Sequence, residues 1–219
     1  MIKALVFDLD GTLANTELLH YRAWKETLAS NGVAEFSLET FMTFVGTSNE
    51  KVAGDYITKE KIEKTIPQIV KEKQAIYMDL IPEVKLFDGA REIITRYHGT
   101  FRLALASSSH KKEILALLKS HQLDIFFELI IGGDMVRRRK PDPAIYLKVQ
   151  QELSLAPHEC VAFEDSEHGL NSAKNAAMYG VAIPNEFTRG HNFTRADLIL
   201  NNLGAMDDEK IAALLQCPP

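Results

Sequence analysis

Asp8 and Asp10 stand one residue apart at the end of an apolar run, with Gly11 and Thr12 directly behind them. In an extended chain, side chains two residues apart point to the same side, so these carboxylates converge. Neighbouring carboxylates repel and burial adds to the cost, so a divalent cation, or a proton on one of them, has to offset it. Gly11 lets the chain turn sharply and come close to a ligand. Glu164 and Asp165 follow a second apolar run. Their hard oxygens suit Mg²⁺, while Ser166 behind them suits a helix N-cap. Ser107, Ser108 and Ser109 follow a third run and precede a helical pattern. Hydroxyls and backbone N–H groups at such a point form an anion site, with Ser107 as ligand and Ser109 as cap of a helix from Lys111. Lys140 opens a Lys-Pro-Asp-Pro stretch and is held in place by Pro141. A fixed cation there can neutralise a phosphoryl group. Asp142 then reads as an N-cap with Pro143 at the first helical position. Arg137, Arg138 and Arg139 read as a solvated basic loop.

These residues need a frame that brings them together. Apolar runs rich in β-forming residues at 2–7, 101–106, 128–131, 161–163, 180–183 and 198–200 read as strands buried on both faces. Helical spacing over 89–98, 111–120, 143–153 and 166–179 lies between them. Such alternation predicts a Rossmann-like α/β fold, a parallel sheet with helices on both faces. Right-handed crossovers bring every strand C-terminus to one edge, where open α/β sheets bind ligands. The candidate carboxylates and serines sit just after strands and Lys140 in the stretch that follows the 128–131 strand, so all arrive at that edge.

One stretch breaks the pattern. From 16 to 81 there is no convincing strand, and 16–31, 38–44, 50–57 and 59–80 look helical. Pro67 should end or kink the last of these. The expected organisation is therefore a core of 1–15 and 82–219, with a small helical domain at 16–81 inserted after the first strand and hinged near 81–84.

The 219 residues are 46% hydrophobic and 25% charged, with a net charge of −5, which fits a globular chain able to bury its own core. The dense basic cluster is confined to 137–140, so nucleic acid is a poor partner. No apolar stretch approaches the roughly 20 residues needed to span a bilayer, and Asp8 and Asp10 interrupt the first apolar run before it can read as a signal peptide. Cys160 reads as a small buried hydrophobe and Cys217 belongs to the tail, usage that fits a reducing compartment. The cytoplasm is the expected location.

The four motifs in this order resemble the haloacid dehalogenase superfamily over nearly the whole chain. Asp-Leu-Asp-Gly-Thr at 8–12 and Phe-Glu-Asp-Ser at 163–166 look like its first and fourth motifs, Ser107 and Lys140 like its second and third. The helical insert is similar to the family's mobile cap. That resemblance implies Mg²⁺ held by Asp8, the Asp10 carbonyl and Asp165, with Glu164 supporting through water. It implies Asp8 as nucleophile, Asp10 as general acid and base, and Ser107, Ser108 and Lys140 gripping the phosphoryl oxygens. His20, in His-Tyr-Arg-Ala-Trp-Lys at 20–25, is similar to a cap-closing histidine of β-phosphoglucomutase-like members. Residues 45–49 look like the cap loop in which the mutase carries an arginine for a second phosphate, and here Gly46 and Asn49 occupy that loop. Lys51, Lys71 and Lys73 offer ammonium groups, which do not replace a bidentate guanidinium. The expectation is thus a monomeric phosphatase of small phosphorylated metabolites. A β-phosphoglucomutase-type isomerase is the alternative, and a non-catalytic phosphometabolite-binding module is a third reading.

Overall fold

The computed structural model describes residues 1–45 and 47–216, so the expectations for Gly46 and Cys217 lie outside the described residues. The chain divides into two compact units, one made of Met1–Asn15 and the chain from Lys85 onward, the other of Thr16–Val84.

In the first unit, β1 (Ala4–Phe7), β2 (Arg102–Ser107), β3 (Leu129–Gly132), β4 (Cys160–Glu164), β5 (Tyr179–Ala182) and β6 (Leu198–Ile199) form one sheet in the order β3-β2-β1-β4-β5-β6. Every pairing is parallel. All six apolar runs became strands, shifted by a residue or two. The chain winds outward from β1 to β3, then crosses back to place β4 on the other side of β1. The order therefore reverses between β1 and β4, the point where open parallel sheets leave a crevice beyond their strand ends. Phe7 pairs with Phe163 there, and their rings stack at 4.8 Å between centroids. Burying each such side chain contributes about 1.5–3 kcal/mol and locks the register that puts Asp8 beside Glu164.

The helices of this unit are α5 (Ala90–Tyr97), α6 (Lys111–Ser120), α7 (Ala144–Leu153), α8 (Glu167–Asn175) and α9 (Asp208–Leu214), the earlier helices lying in the other unit. Ala4, Ala104, Ala106 and Ala162 form one core cluster with Ile145, Tyr146 and Val149 of α7. The short alanines leave room for Tyr146 against the sheet. Cys160 belongs to the same cluster, and burial pushes its thiol up to about 12, which keeps it protonated and inert.

Three local expectations need correction. α8 stops at Asn175, not near 179, because Ala177 takes a left-handed φ of 56° and Met178 N–H returns to the Ala173 carbonyl. A regular apolar pattern gives no warning of that turn, since the cap is an alanine and not the usual glycine. Pro143 precedes α7 instead of opening it, although the Asp142 carboxylate still accepts the Ala144 N–H at 3.0 Å. Ser109 does not cap α6; His110 holds that position, and Glu113 reaches back to the His110 N–H at 3.0 Å.

The second unit is built from α1 (Glu17–Ser30), α2 (Leu38–Met42), α3 (Asn49–Glu60) and α4 (Ile66–Leu80). Trp24, Leu28, Phe36, Phe41, Tyr56 and Ile69 share its core. Ser37 and Ser48 cap α2 and α3 by accepting the N–H groups of Thr40 and Lys51. The expected helix over 59–80 is two pieces. Lys61 ends α3 in a left-handed conformation, and α4 starts at Ile66 with Pro67 in its first turn. That turn is where proline loses no hydrogen bond. No helix of the described residues is long and apolar enough to cross a membrane.

Candidate active site

Asp8 leaves the end of β1 while its N–H still bonds the Phe163 carbonyl at 3.0 Å, so the strand register carries it past the sheet edge beside β4. Glu164 ends β4 and Asp165 follows. All three carboxylates are buried, and each offers an oxygen within 4.8 Å of the others'. Lys140 reaches into this group from the loop after β3. Its ammonium donates to Asp8 Oδ1 at 2.6 Å, to Glu164 Oε1 at 2.6 Å and to the Ala106 carbonyl at 2.9 Å. These three bonds match the three protons of an ammonium, so its position is set by β1, β2 and β4 together.

The electrostatics follow from burial. Loss of water pushes the Asp8 carboxyl well above its ordinary range; Lys140 opposes this, and the charges of Glu164 and Asp10 add to it. Burial alone would lower the Lys140 pKa, but Asp8 and Glu164 outweigh it and hold the ammonium charged. Tyr146 donates its phenol to Glu164 Oε1, the oxygen that also receives Lys140. Burial and the Glu164 charge push that phenol well above the usual tyrosine range, so it stays a donor.

Asp10 faces a different set of groups. Its Oδ2 accepts the hydroxyls of Ser107 at 2.9 Å and Ser109 at 2.7 Å. Ser107 Oγ in turn accepts the Ser109 N–H at 2.9 Å. The second motif therefore touches the first through Asp10. Ser108 is exposed, and its carbonyl accepts from Arg139 at 3.3 Å.

The donor set fits a hard divalent cation. Its atoms are carboxylate oxygens, which suit Mg²⁺, and Glu164 Oε2 is buried without a hydrogen-bond partner among the described residues. The backbone leaves room at this point: Gly11 has φ +84°, and a Cβ there would sit 2.3 Å from Asp165 Oδ2. A Cβ on Gly169 would sit 1.8 Å from Glu164 Oε2.

His20 and Asn49 belong to the helical unit. His20 Nδ1 lies 2.7 Å from the ammonium of Lys73, and its ring stacks on Tyr77 at 4.3 Å. Asn49 is the first residue of α3. Of the lysines considered beside it, Lys51 pairs with Asp55 at 2.9 Å and Lys73 is fully buried.

Sequence reasoning missed Tyr146, Asn185 and the part played by Ser109. Tyr146 falls within the helical spacing of 143–153 and reads there as an apolar position, though a phenol in a core position needs a polar partner. Asn185 follows β5 at the edge where the other candidates gather, and that position was the available signal.

The family model for haloacid dehalogenase-like hydrolases matches residues 5–183. Protein CbbY of Rhodobacter capsulatus is 36% identical over 97% of this chain and 99% of its own length. A phosphorylated carbohydrates phosphatase of Thermotoga maritima is 30% identical over 82% of this chain and 85% of its own. The crystal structure of a CbbY mutant from Rhodobacter sphaeroides in complex with xylulose-(1,5)bisphosphate superposes with a TM-score of 0.87 at 32% identity, covering 94% of this chain and 96% of that one.

Proposed function

The chain belongs to the haloacid dehalogenase-like hydrolases, and from that premise we propose that it is a Mg²⁺-dependent phosphatase of small phosphorylated sugars working through an aspartyl-phosphate on Asp8. The observation that carries the reading is the buried cluster of Asp8, Glu164 and Asp165 around the ammonium of Lys140. Asp8, Asp165 and the Asp10 carbonyl would hold the ion, with Glu164 behind them. When bound, Mg²⁺ supplies positive charge that lets an anionic nucleophile meet an anionic phosphoryl group.

The chain's own groups account for the rest. An Asp8 oxygen bonds to phosphorus as the ester P–O bond breaks, which divides one difficult displacement into two. Lys140 stays charged beside Asp8 throughout and neutralises the phosphoryl oxygens. Protonated Asp10 gives its proton to the departing alkoxide. In the second half it takes a proton from water, whose oxygen bonds to phosphorus while the P–O bond to Asp8 breaks, freeing phosphate and restoring the carboxylate. The hydroxyls of Ser107 and Ser109 hold Asp10 in one orientation for both transfers. Asn49, an amide where the mutase resemblance places an arginine, favours monophosphates. The bisphosphate bound by the R. sphaeroides relative supports a second reading, a sugar bisphosphate as substrate.

A panel of sugar monophosphates and pentulose bisphosphates, with Mg²⁺ or with EDTA, tests both readings by released phosphate. Release that depends on Mg²⁺ is expected, and the preferred member of the panel decides between them. Absence of release, with hexose phosphate isomerised under a bisphosphate activator, would make the chain a mutase.

A further inference from the structure

Asn185 stands beyond β5 in a turn that fixes its side chain. The Ile183 N–H bonds the Glu164 carbonyl at 2.7 Å, so the chain leaving β5 still runs beside β4 and delivers Asn185 next to Asp165. The Asn185 N–H donates to Thr188 Oγ1 at 3.0 Å, and the Asn185 carbonyl accepts from the N–H groups of Thr188 and Arg189. Asn185 Oδ1 accepts the Phe187 N–H at 2.8 Å. A backbone N–H is only a donor, so that contact sets which end of the amide is oxygen. The Nδ2 end then points at two acceptors, Asp165 Oδ2 at 2.8 Å and the Gly11 carbonyl at 3.0 Å. Every bond of the side chain agrees with one orientation. Gly11 makes the approach possible, since a Cβ there would lie 2.9 Å from Asn185 Nδ2.

We propose that Asn185 is a positioning residue for the cation site: its amide fixes the roll of the Asp165 carboxylate and ties it to the turn that follows Asp8. The inference rests on the reading of Asp8, Glu164 and Asp165 as a cation site. Partners that orient a ligating carboxylate change metal affinity by about 10–100-fold when removed. Asn185 acts through Asp165 and touches no reacting atom.

The test is Mn²⁺ binding to the full-length protein without substrate, read as loss of the free-ion electron paramagnetic resonance signal. Asn185→Ser keeps a short acceptor for the Phe187 N–H, and hence the turn, while removing the amide donor. Its dissociation constant for Mn²⁺ should rise about 10–100-fold, with its metal-free urea midpoint close to that of the wild type. The Mg²⁺ concentration giving half-maximal activity should rise in parallel, with kcat recovering at saturating Mg²⁺. Asn185→Ala should show the same rise, and wild-type affinity in either variant overturns the proposal. Asp165→Ala separates the two layers. If it binds Mn²⁺ like the wild type, the cation site itself is misread; if it loses binding while Asn185→Ser keeps it, only the role of Asn185 falls.

Discussion

A lysine is buried in each unit, and the two are held in different ways. Lys140 donates to the carboxylates of Asp8 and Glu164 and to the Ala106 carbonyl, groups supplied by three strands. Lys73 lies 2.7 Å from His20 Nδ1, supplied by α1, and 4.4 Å from the ring of Tyr77, one turn further along its own helix. Anions hold the first as a fixed cation at the sheet edge. The second meets an imidazole and an aromatic face, contacts that two packed helices provide locally. A charge compensated by opposite charges brought from distant strands is what the proposed phosphoryl transfer would use. Lys73 is placed by groups of its own unit, which α1 and α4 bring together.

Substitutions that separate the two sites follow from this contrast. The largest effect is expected for Asp8→Asn, which removes the proposed nucleophile and one anion from Lys140. Phosphate release should fall by about 10⁴-fold or more, and turnover near the wild-type rate would end the covalent scheme. Lys140→Met comes next. The kcat should fall by about 10²–10³-fold, the usual cost of losing a preorganised group at developing charge. Metal-free protein should lose about 3–5 kcal/mol in urea unfolding, because Asp8 and Glu164 stay buried without their cation. Saturating Mg²⁺ should restore part of that loss, since an ion that binds only the folded state stabilises it.

Gly11→Ala should cost about 1–3 kcal/mol and lower activity with it, since the site combines φ +84° with a Cβ placed 2.3 Å from Asp165 Oδ2. On the other side of the comparison, His20→Ala takes away an imidazole nitrogen 2.7 Å from the Lys73 ammonium. A cost of about 1–3 kcal/mol in urea unfolding is expected for a bond to a charged group. A cost as large as that of Lys140→Met would erase the distinction drawn between the two lysines. The smallest shift is expected for Asn49→Arg. Preference for bisphosphates over monophosphates, as a ratio of kcat/KM, should rise about tenfold, the equivalent of about 1.4 kcal/mol. An unchanged ratio would remove Asn49 from the account of substrate choice.

Much of the frame was legible in the sequence. Runs of buried β-forming residues named every strand, because a parallel sheet covered on both faces demands continuous apolar sequence. Asp8, Lys140, Glu164 and Asp165 were visible because each follows such a run, and the sheet's handedness sends all of them to one edge. The errors fell where a single backbone angle decides the outcome. Ala177 ends α8 and Lys61 ends α3 in left-handed conformations that neither residue type announces. Ser109 suited a cap by type, yet its hydroxyl is used by Asp10.

The linear order of residues by itself determined the strands, the helical insert and which carboxylates would reach the sheet edge, since those depend on local periodicity and a fixed chirality. Only the tertiary structure decided that Tyr146 shares a Glu164 oxygen with Lys140, that Ser107 and Ser109 hold Asp10, and that Asn185 holds Asp165. Those bonds join side chains brought together by packing from separate elements. A hydrogen bond is set by distances of a few tenths of an ångström, which periodicity does not encode.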